Sequence, residues 1–330
     1  MVMSASADFA EQESAVRTLP RVLASVLSYN SPEVVLTTLQ CLSRQTYTQL
    51  KLQVIDNAST SDCVAQIARA FPNIEIKVLL ENLGYTGGNN IALRQALIEG
   101  YDYAIICNHD IEVDEQTIER LVETAEANAD TGVVGGVETS LSGRTRAIHG
   151  GEYCPWVSRG RKRTEAPTAD SDRPWLRVPC VHGALVLFTR RALESGVILD
   201  ENLFMYMDEI DIGFQLERKG LRAYTDQRAL VRHKSEPYQL DEYVGYLSQR
   251  NRLYLVKKYG RWYHLIFYHL YALLFELPIK VIIRSLQGKF GFARACVRGH
   301  IDGALGRMDR RRIEPFLRHS HPRRNPDFPD

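Results

Sequence analysis

The sequence predicts an α/β domain built on a mostly parallel sheet flanked by helices, followed by a C-terminal helical extension. Three observations carry this. From Arg21 to Cys107, short apolar runs alternate with helix-periodic segments, the pattern of strand–helix units that fold as a parallel sheet covered on both faces. Several runs stop at polar clusters, Ser28-Tyr29-Asn30, Asp56-Asn57-Ala58-Ser59-Thr60 and Asn108-His109-Asp110, and in such sheets ligands bind beyond the carboxyl ends of the strands. Beyond Tyr246 the pattern becomes helical, and from Trp262 to Leu286 it is far more apolar.

Val22–Leu27 is the first expected strand, and Pro32 opens a helix with Val35, Leu36, Leu39 and Leu42 at helical spacing. Leu50–Ile55 is the second strand, and Ser61 or Asp62 caps the helix that follows. Ile74–Leu80 is the third. Glu81–Gly88 reads as a glycine-containing loop leading into a helix through Ala92, Leu93 and Leu97. Its glycines permit close ligand approach, or a tight turn that packs helix on sheet. No Gly-Lys-Ser/Thr follows it, and no G-x-G-x-x-G follows the first strand, which argues against P-loop and nicotinamide-dinucleotide sites. Tyr103–Cys107 is the fourth strand and Glu115–Asn128 an amphipathic helix. Val133–Val137 is a strand in which Gly135-Gly136 marks a bulge or a close backbone approach. Residues 152–178, rich in Arg, Pro, Ser and Asp, read as one long loop. Val181–Phe188 resumes a strand, and Arg190–Ser195 begins a helix that Gly196 ends.

Two carboxylate motifs follow apolar runs: Asn108-His109-Asp110 after Tyr103–Cys107, and Asp208-Glu209-Ile210-Asp211 after Leu203–Met207. Carboxylates at the ends of buried strands can meet at one sheet edge, hold a divalent cation and act as a base. That suits chemistry on a diphosphate, whose charge a metal offsets. Asp110 is the candidate metal ligand, with Asn108 directed to a ribose or to the metal's waters; Mg2+ and Mn2+ take oxygen ligands and keep several waters. His233, after Ala229–Arg232, is the candidate second ligand, since neutral imidazole coordinates Mn2+. Asp208 or Glu209, nearest the end of its apolar run, is the candidate base. Asp211 fits a simpler role, complementing a helix dipole.

Composition narrows the class. A net charge of +1 over 330 residues argues against a general nucleic-acid binder, although arginines accumulate from Arg294 onward. Six cysteines without a C-x-x-C pair suggest neither a zinc site nor a disulfide framework, but reduced cytosolic thiols. Residues 1–18 hold no apolar run long enough for a secretory signal.

Taken in order, Ser28-Tyr29-Asn30, Val54–Ser59, Asn82–Asn90, Asn108-His109-Asp110, His182-Gly183-Ala184, Asp208–Asp211 and His233-Lys234 resemble the family-two glycosyltransferases of the GT-A type, nearest the bacterial rhamnosyltransferase-like branch. The resemblance covers roughly residues 21–260. It implies a Rossmann-like nucleotide-binding half and a metal-dependent, inverting transfer. A hexose or deoxyhexose, rhamnose among them, would pass from a nucleoside diphosphate sugar to a hydroxyl of a polysaccharide or lipid-linked glycan of the bacterial cell envelope. Ser28, Asn30 and Asp56, with Asn57 and Asn108 beside them, would hold the donor. Gly87 and Gly88 would shape the pocket floor, and Gly183 and Ala184 would border the sugar. Asp110 would bind Mg2+ or Mn2+ with help from His233. The base aligns with Glu209, and Asp208 competes for the role. Asn108 replaces the first aspartate of a strict D-x-D, removing one negative charge, and His109 stands where this branch often has proline. Two other readings compete with this one. A sugar nucleotidyltransferase would want a glycine- and lysine-bearing loop after the first strand. A non-catalytic nucleotide-sugar-binding subunit would not need Asp110, Glu209 and His233.

The expected organisation is a disordered segment over 1–20, a catalytic domain over 21–245, and a helical, membrane-associating segment over 246–330. Gln249-Arg250-Asn251-Arg252 resembles the family's Arg-Asn-Arg stretch and is expected on the acceptor side. A spanning helix needs about 20 predominantly apolar residues, and Glu276, Lys280 and Arg284 interrupt Trp262–Leu286. An interfacial helix fits better, with Trp262, Tyr263, Tyr268 and Tyr271 at headgroup level and the later arginines on anionic lipid. The competing expectation is a helix buried on the catalytic domain or on a second subunit. Membrane contact through 262–312 would place the protein on the cytoplasmic face of the cell membrane, with no nucleic-acid partner and the oligomeric state open.

Overall fold

The computed structural model describes residues 19–140, 146–147, 149–163, 173–234 and 241–317. The expected disordered lead-in, apart from Leu19 and Pro20, and the arginines at 318, 323 and 324 lie outside the described residues.

Strand β1 (Val22–Ser28) is buried along its whole length, as a central strand covered on both faces must be. Pro32 fixes the first turn of α1 (Pro32–Ser43), which lays Val35, Leu39 and Leu42 on the sheet. β2 (Leu50–Asp56), α2 (Cys63–Ala70), β3 (Glu75–Val78), α3 (Gly84–Ile98) and β4 (Tyr103–Asn108) complete a parallel half ordered β3-β2-β1-β4. The register pairs Ser28 with Asp56 and Leu27 with Asn108, so the polar clusters end level along one edge. Helix α3 already begins at Gly84, so Gly87 and Gly88, expected in a loop, lie in its first turns. A Cβ on Gly88 would stand 2.5 Å from a Leu27 methyl; glycine here lets the helix touch the end of β1.

The chain continues through β5 (Ile111–Val113), α4 (Thr117–Ala127), β6 (Thr131–Ser140), β7 (Arg146–Ala147), β8 (His149–Cys154), β9 (Arg159–Arg163), β10 (Trp175–Val178), β11 (Leu185–Thr189), α5 (Arg190–Glu194), α6 (Asp208–Arg218) and β12 (Arg222–His233). The sheet extends as β4-β11-β6-β12-β10, with β11 antiparallel to both neighbours and β12 parallel to β6. The sheet is therefore parallel in one half and mixed in the other. One apolar cluster packs α1, α2 and α4 against one face, and a second packs α3, α5 and α6 against the opposite face. The close approach expected at Gly135-Gly136 is present: a Cβ on Gly136 would stand 2.4 Å from the Ala229 carbonyl, beside a break in the β6–β12 register.

Three further segments fold otherwise than expected. Residues 152–178 are not one loop: β8 and β9 form an antiparallel hairpin and β10 is an edge strand, while 164–172 lie outside the described residues. Short, charge-rich peripheral strands have no apolar alternation to announce them. The strand expected from Val181 begins only at Leu185, leaving His182-Gly183-Ala184 in the turn before it. Leu203–Met207 is not a strand either. It is a 3-10 turn (Glu201–Leu203) followed by an irregular loop in which Phe204, Tyr206 and Met207 have φ of 63°, 71° and 71°.

The helical segment begins at α7 (Glu242–Tyr259). It continues as α8 (Trp262–Tyr271), a wider π turn over Ala272–Glu276 and α9 (Leu277–Leu286), together one 25-residue helix. After a turn at Gly288, α10 (Phe290–Ala304) packs on α7, and the short α11 (Glu314–Leu317) follows. Gly299 brings α10 against the α7 backbone, since a Cβ there would lie 2.1 Å from the Tyr246 carbonyl. Tyr268, expected at headgroup level, is buried, with the Arg252 guanidinium 5.2 Å from its ring centre. Glu276, expected to interrupt the apolar surface, also points inward. Burial would raise its carboxyl, but bonds from Arg252 at 2.5 Å and Lys280 at 2.7 Å outweigh that and hold it down at about 2.

Behind this helix His300 is buried, 5.3 Å from the ring of His269. Burial, with His269 second, pushes its imidazole down to about 4 from the usual 6.5. The unfolded chain therefore binds a proton below pH 6.5 that the folded chain refuses until about pH 4. Folding stability should fall across that window by about 3 kcal/mol. Denaturant midpoints at pH 7 and pH 4.5 should differ markedly in the wild type and much less in His300→Gln. Equal pH dependence in the two proteins would place the acid sensitivity elsewhere.

Candidate active site

The donor-side residues are knitted to one another. Ser28 and Asp56 are fully buried at the ends of β1 and β2. Asp56 accepts from the Ser59 amide at 2.9 Å and the Ser59 hydroxyl at 2.6 Å. Asn30 holds a left-handed φ of 51°, and its Oδ1 accepts from the amides of Thr60 and Ser61 at 2.8 and 3.2 Å. Asn57 bridges to the entrance of α3: its Oδ1 accepts from the Leu83 amide at 2.8 Å, and its Nδ2 donates to Asn82 at 2.9 Å and the Gly84 carbonyl at 3.1 Å. Ser28 and Asp56 thus support the edge from beneath, and Asn30 is the more exposed of the three. Gly87 and Gly88 are buried in helix packing.

The second corner is the turn between β4 and β5. The Thr38 hydroxyl bonds the carbonyls of His109 and Ile111 at 2.7 and 2.8 Å, and the Lys234 amide bonds the Asp110 carbonyl at 2.8 Å. The backbone under Asp110 is therefore held without help from its side chain. His233, at the end of β12, brings Nδ1 to 3.5 Å from the Asp110 carboxylate, while its Nε2 lies 3.4 Å from Asn108 Nδ2. One carboxylate and one imidazole stand side by side. That donor set fits a Mg2+ or Mn2+ whose remaining positions are filled by ligand oxygens and water. Among the described residues no third histidine, cysteine or carboxylate completes a cage around them.

The third corner carries the acids at the start of α6. Asp208 is buried, and burial first, then the charges of Glu209 and Asp211, lifts its carboxyl well above the usual range. Glu209 is only half-buried. A Cβ on Gly183 would stand 3.1 Å from Glu209 Oε1, so the glycine leaves that carboxylate its place. Asp211 does more than complement the helix dipole: fully buried, it accepts from Lys258 at 2.5 Å, Gln215 at 2.6 Å and Tyr259 at 2.7 Å.

A short chain of contacts joins these corners. Glu209 abuts Gly183, the Ala184 carbonyl accepts from the Asn108 amide at 2.9 Å, and Asn108 meets His233 beside Asp110. The two carboxylate motifs, far apart in sequence, lie at the same sheet edge.

Two further residues of these motifs join the site. Tyr85, at the start of α3, donates to the Gly183 carbonyl at 2.6 Å, and its phenol is raised by burial and by the nearby charges of Asp208 and Glu209. Its place inside the Asn82–Asn90 motif was the available signal. His182 pairs with Glu138 beside the same turn. The Gln249–Arg252 stretch, expected on the acceptor side, is instead buried.

A family model described as glycosyl transferase family 2 matches residues 25–196. A curated relative, the N-acetylglucosaminyl-diphospho-decaprenol L-rhamnosyltransferase of Mycobacterium tuberculosis, is 24% identical over 254 residues, covering 68% of this chain and 80% of the relative. GalNAc-T7, solved with UDP, GalNAc and Mn2+, shares the fold at a TM-score of 0.59 and 14% identity over 73% of this chain; the chain spans about half of that protein, 48%. The mannosyltransferase PcManGT of Pyrobaculum calidifontis, solved with GDP-Man and Mn2+, gives a TM-score of 0.54 at 15% identity, covering 87% of this chain and 88% of that one. At such identities these two structures establish the fold, a GT-A-like sheet flanked by helices.

Proposed function

The chain belongs to glycosyl transferase family 2, and from that premise we propose an inverting, metal-dependent enzyme that moves a hexose or deoxyhexose, rhamnose among them, from a nucleoside diphosphate sugar to a hydroxyl of a lipid-linked or polysaccharide acceptor. The observation that carries this reading is that Asp110 and His233 are linked to Glu209 through Asn108 and the Gly183-Ala184 turn, at the edge where β1 and β2 also end. As the acceptor oxygen attacks the anomeric carbon, its proton passes to a Glu209 carboxylate oxygen and the bond to the diphosphate breaks, inverting that carbon. Asp208 is buried, which lifts its carboxyl, and Glu209 beside it is the more accessible of the two and is assigned the base role. A divalent cation bound at Asp110 and His233 would offset charge on the departing diphosphate.

The lipid-linked acceptor is supported by the C-terminal helix and by the diphospho-decaprenol in the relative's name. By length and composition Trp262–Leu286 is able to cross a bilayer, and only 22% of its apolar window is buried. Its inner side is pinned to the body through buried Tyr268 and through Glu276, which pairs with Arg252 of α7, and this favours lying along a surface. The outer side exposes Phe267, Leu270, Leu274, Ile279, Ile282 and Leu286, an apolar patch of the kind that marks a docking face. Trp156, at the β8–β9 turn and 45% exposed, extends it by packing 4.6 Å from His264 and 5.2 Å from Phe267, centre to centre. Arg294 and Arg298 line the groove between α9 and α10 beside it, cations suited to anionic headgroups. This supports a protein held on the cytoplasmic face of the cell membrane.

The test uses the full chain, Mn2+, a panel of nucleoside diphosphate sugars including a rhamnose donor, and a polyprenyl diphosphate-linked acceptor sugar in anionic vesicles. Wild type should bind the vesicles and transfer the sugar. Leu270→Glu with Leu274→Glu should lower vesicle binding by about tenfold or more and lose transfer to the embedded acceptor, yet still use a short, soluble acceptor. No transfer from any donor would defeat the enzymatic proposal. Equal transfer by wild type and variant on vesicles would defeat the membrane part alone.

A further inference from the structure

The loop that presents Glu209 is strained and partly buried, and its backbone carbonyls are engaged from elsewhere in the chain. Phe204, Tyr206 and Met207 all occupy the left-handed region, which disfavours residues that carry a side chain. Such a loop persists only when its surroundings hold it. The holding groups come from one turn of α7. Asn251 Nδ2 donates to the carbonyls of Leu203, Met205 and Tyr206 at 2.9, 2.8 and 3.1 Å. Arg250 Nη2 donates to the carbonyls of Asn202 and Leu203 at 2.8 and 3.1 Å, and its Nε donates to Asn251 Oδ1 at 3.1 Å, which fixes the way the amide faces. The intervening Phe204 carbonyl accepts from the Thr86 amide at 3.1 Å, and the Phe204 ring fills the space left by Gly84. Asn202, Leu203, Phe204, Met205 and Tyr206 thus each have their carbonyl engaged from outside the loop, directly before Asp208 and Glu209. Both α7 residues are fully buried, so neither meets an acceptor directly.

We propose that Asn251, oriented by Arg250, is a positioning residue for the base: its amide clamps the Leu203–Tyr206 carbonyls and so sets Glu209 against Gly183. This rests on the assignment of Glu209 as base. A side-chain amide suits the task because it offers two N–H groups on one nitrogen, able to reach three converging carbonyls. A carboxylate of the same shape would aim lone pairs at those carbonyls instead.

The experiment compares Asn251→Asp, Asn251→Gln and Arg250→Lys with wild type in the full chain. Turnover at saturating donor, donor KM, melting temperature and hydrogen exchange over 203–211 are all followed. Asn251→Asp should lower kcat by about 100-fold or more while donor KM stays within about threefold. Exchange should rise within 203–211 and remain unchanged in β1 and β4. Asn251→Gln, which keeps the donors on a longer arm, should recover part of the loss, and Arg250→Lys should lie between. A folded Asn251→Asp with kcat within about threefold of wild type overturns the proposal. So does a loss of kcat in all three variants that merely follows their loss of folded protein. If Glu209→Gln and Asp208→Asn leave turnover intact while Asn251→Asp reduces it, the base assignment fails and the clamp on the loop stands.

Discussion

Glu209→Gln should reduce kcat by about 100- to 10,000-fold, the usual worth of a positioned general base, with donor affinity nearly unchanged. The substitution keeps the shape of the side chain and removes only its ability to take a proton. The nucleotide and diphosphate would be held at the ends of β1, β2 and β4, while Glu209 stands at Gly183 beside the sugar, so most of the binding and the chemistry should separate. Asp208→Asn is the informative partner. Asp208 is buried with its carboxyl lifted well above the ordinary range by that burial and by Glu209. Buried behind its half-exposed neighbour, Asp208 is not the carboxylate an acceptor reaches, so the isosteric amide should lower turnover far less than Glu209→Gln. Single-turnover rates at saturating donor, with donor binding followed by calorimetry, give the comparison. If the two variants rank the other way round, Asp208 is the base and Glu209 the neighbour that raises it.

That ranking depends on a local structure the sequence only partly discloses. The parallel half was legible because β1 and β4 are buried on both faces and read as unbroken apolar runs. Their polar ends align because parallel strands in register finish together. Leu203–Met207 looks the same on paper, five apolar residues before an acid, yet it is an irregular loop. Its side chains fill pockets against α7 and α10 rather than a sheet. Positive φ at Phe, Tyr and Met has no compositional signature, and the Asn251 amide that makes it tolerable lies more than forty positions away. The direction in which Glu276 points was hidden for a similar reason, since its partner Arg252 sits on a different helix. Trp156 has no comparable signal in the sequence, because its hairpin is too short and too charged to read as strand.

Long-range pairing of this kind also decides how a metal would be held, and makes Asp110→Ala the second large effect. Transfer should fall by about a thousandfold or more, in line with losing several kcal/mol of charge stabilisation at a diphosphate. The fold should survive, because the Asp110 turn is secured through backbone by Thr38 and Lys234 and not through the carboxylate. With Asn108 in place of a second acid, Asp110 and His233 supply a single negative charge between them. Such a site would be too poor in charge to hold a divalent cation firmly by itself, and the diphosphate of the donor would have to provide the remaining oxygens. Mn2+ binding, followed by electron paramagnetic resonance, should therefore be weak without donor and strong with it. Asp110→Ala should abolish the donor-dependent component and leave donor affinity in the absence of metal unaltered. Asn108→Asp should act in the opposite sense and tighten Mn2+ before donor is added. Donor-dependent Mn2+ binding that persists in Asp110→Ala would remove this corner from the metal site, whatever became of turnover.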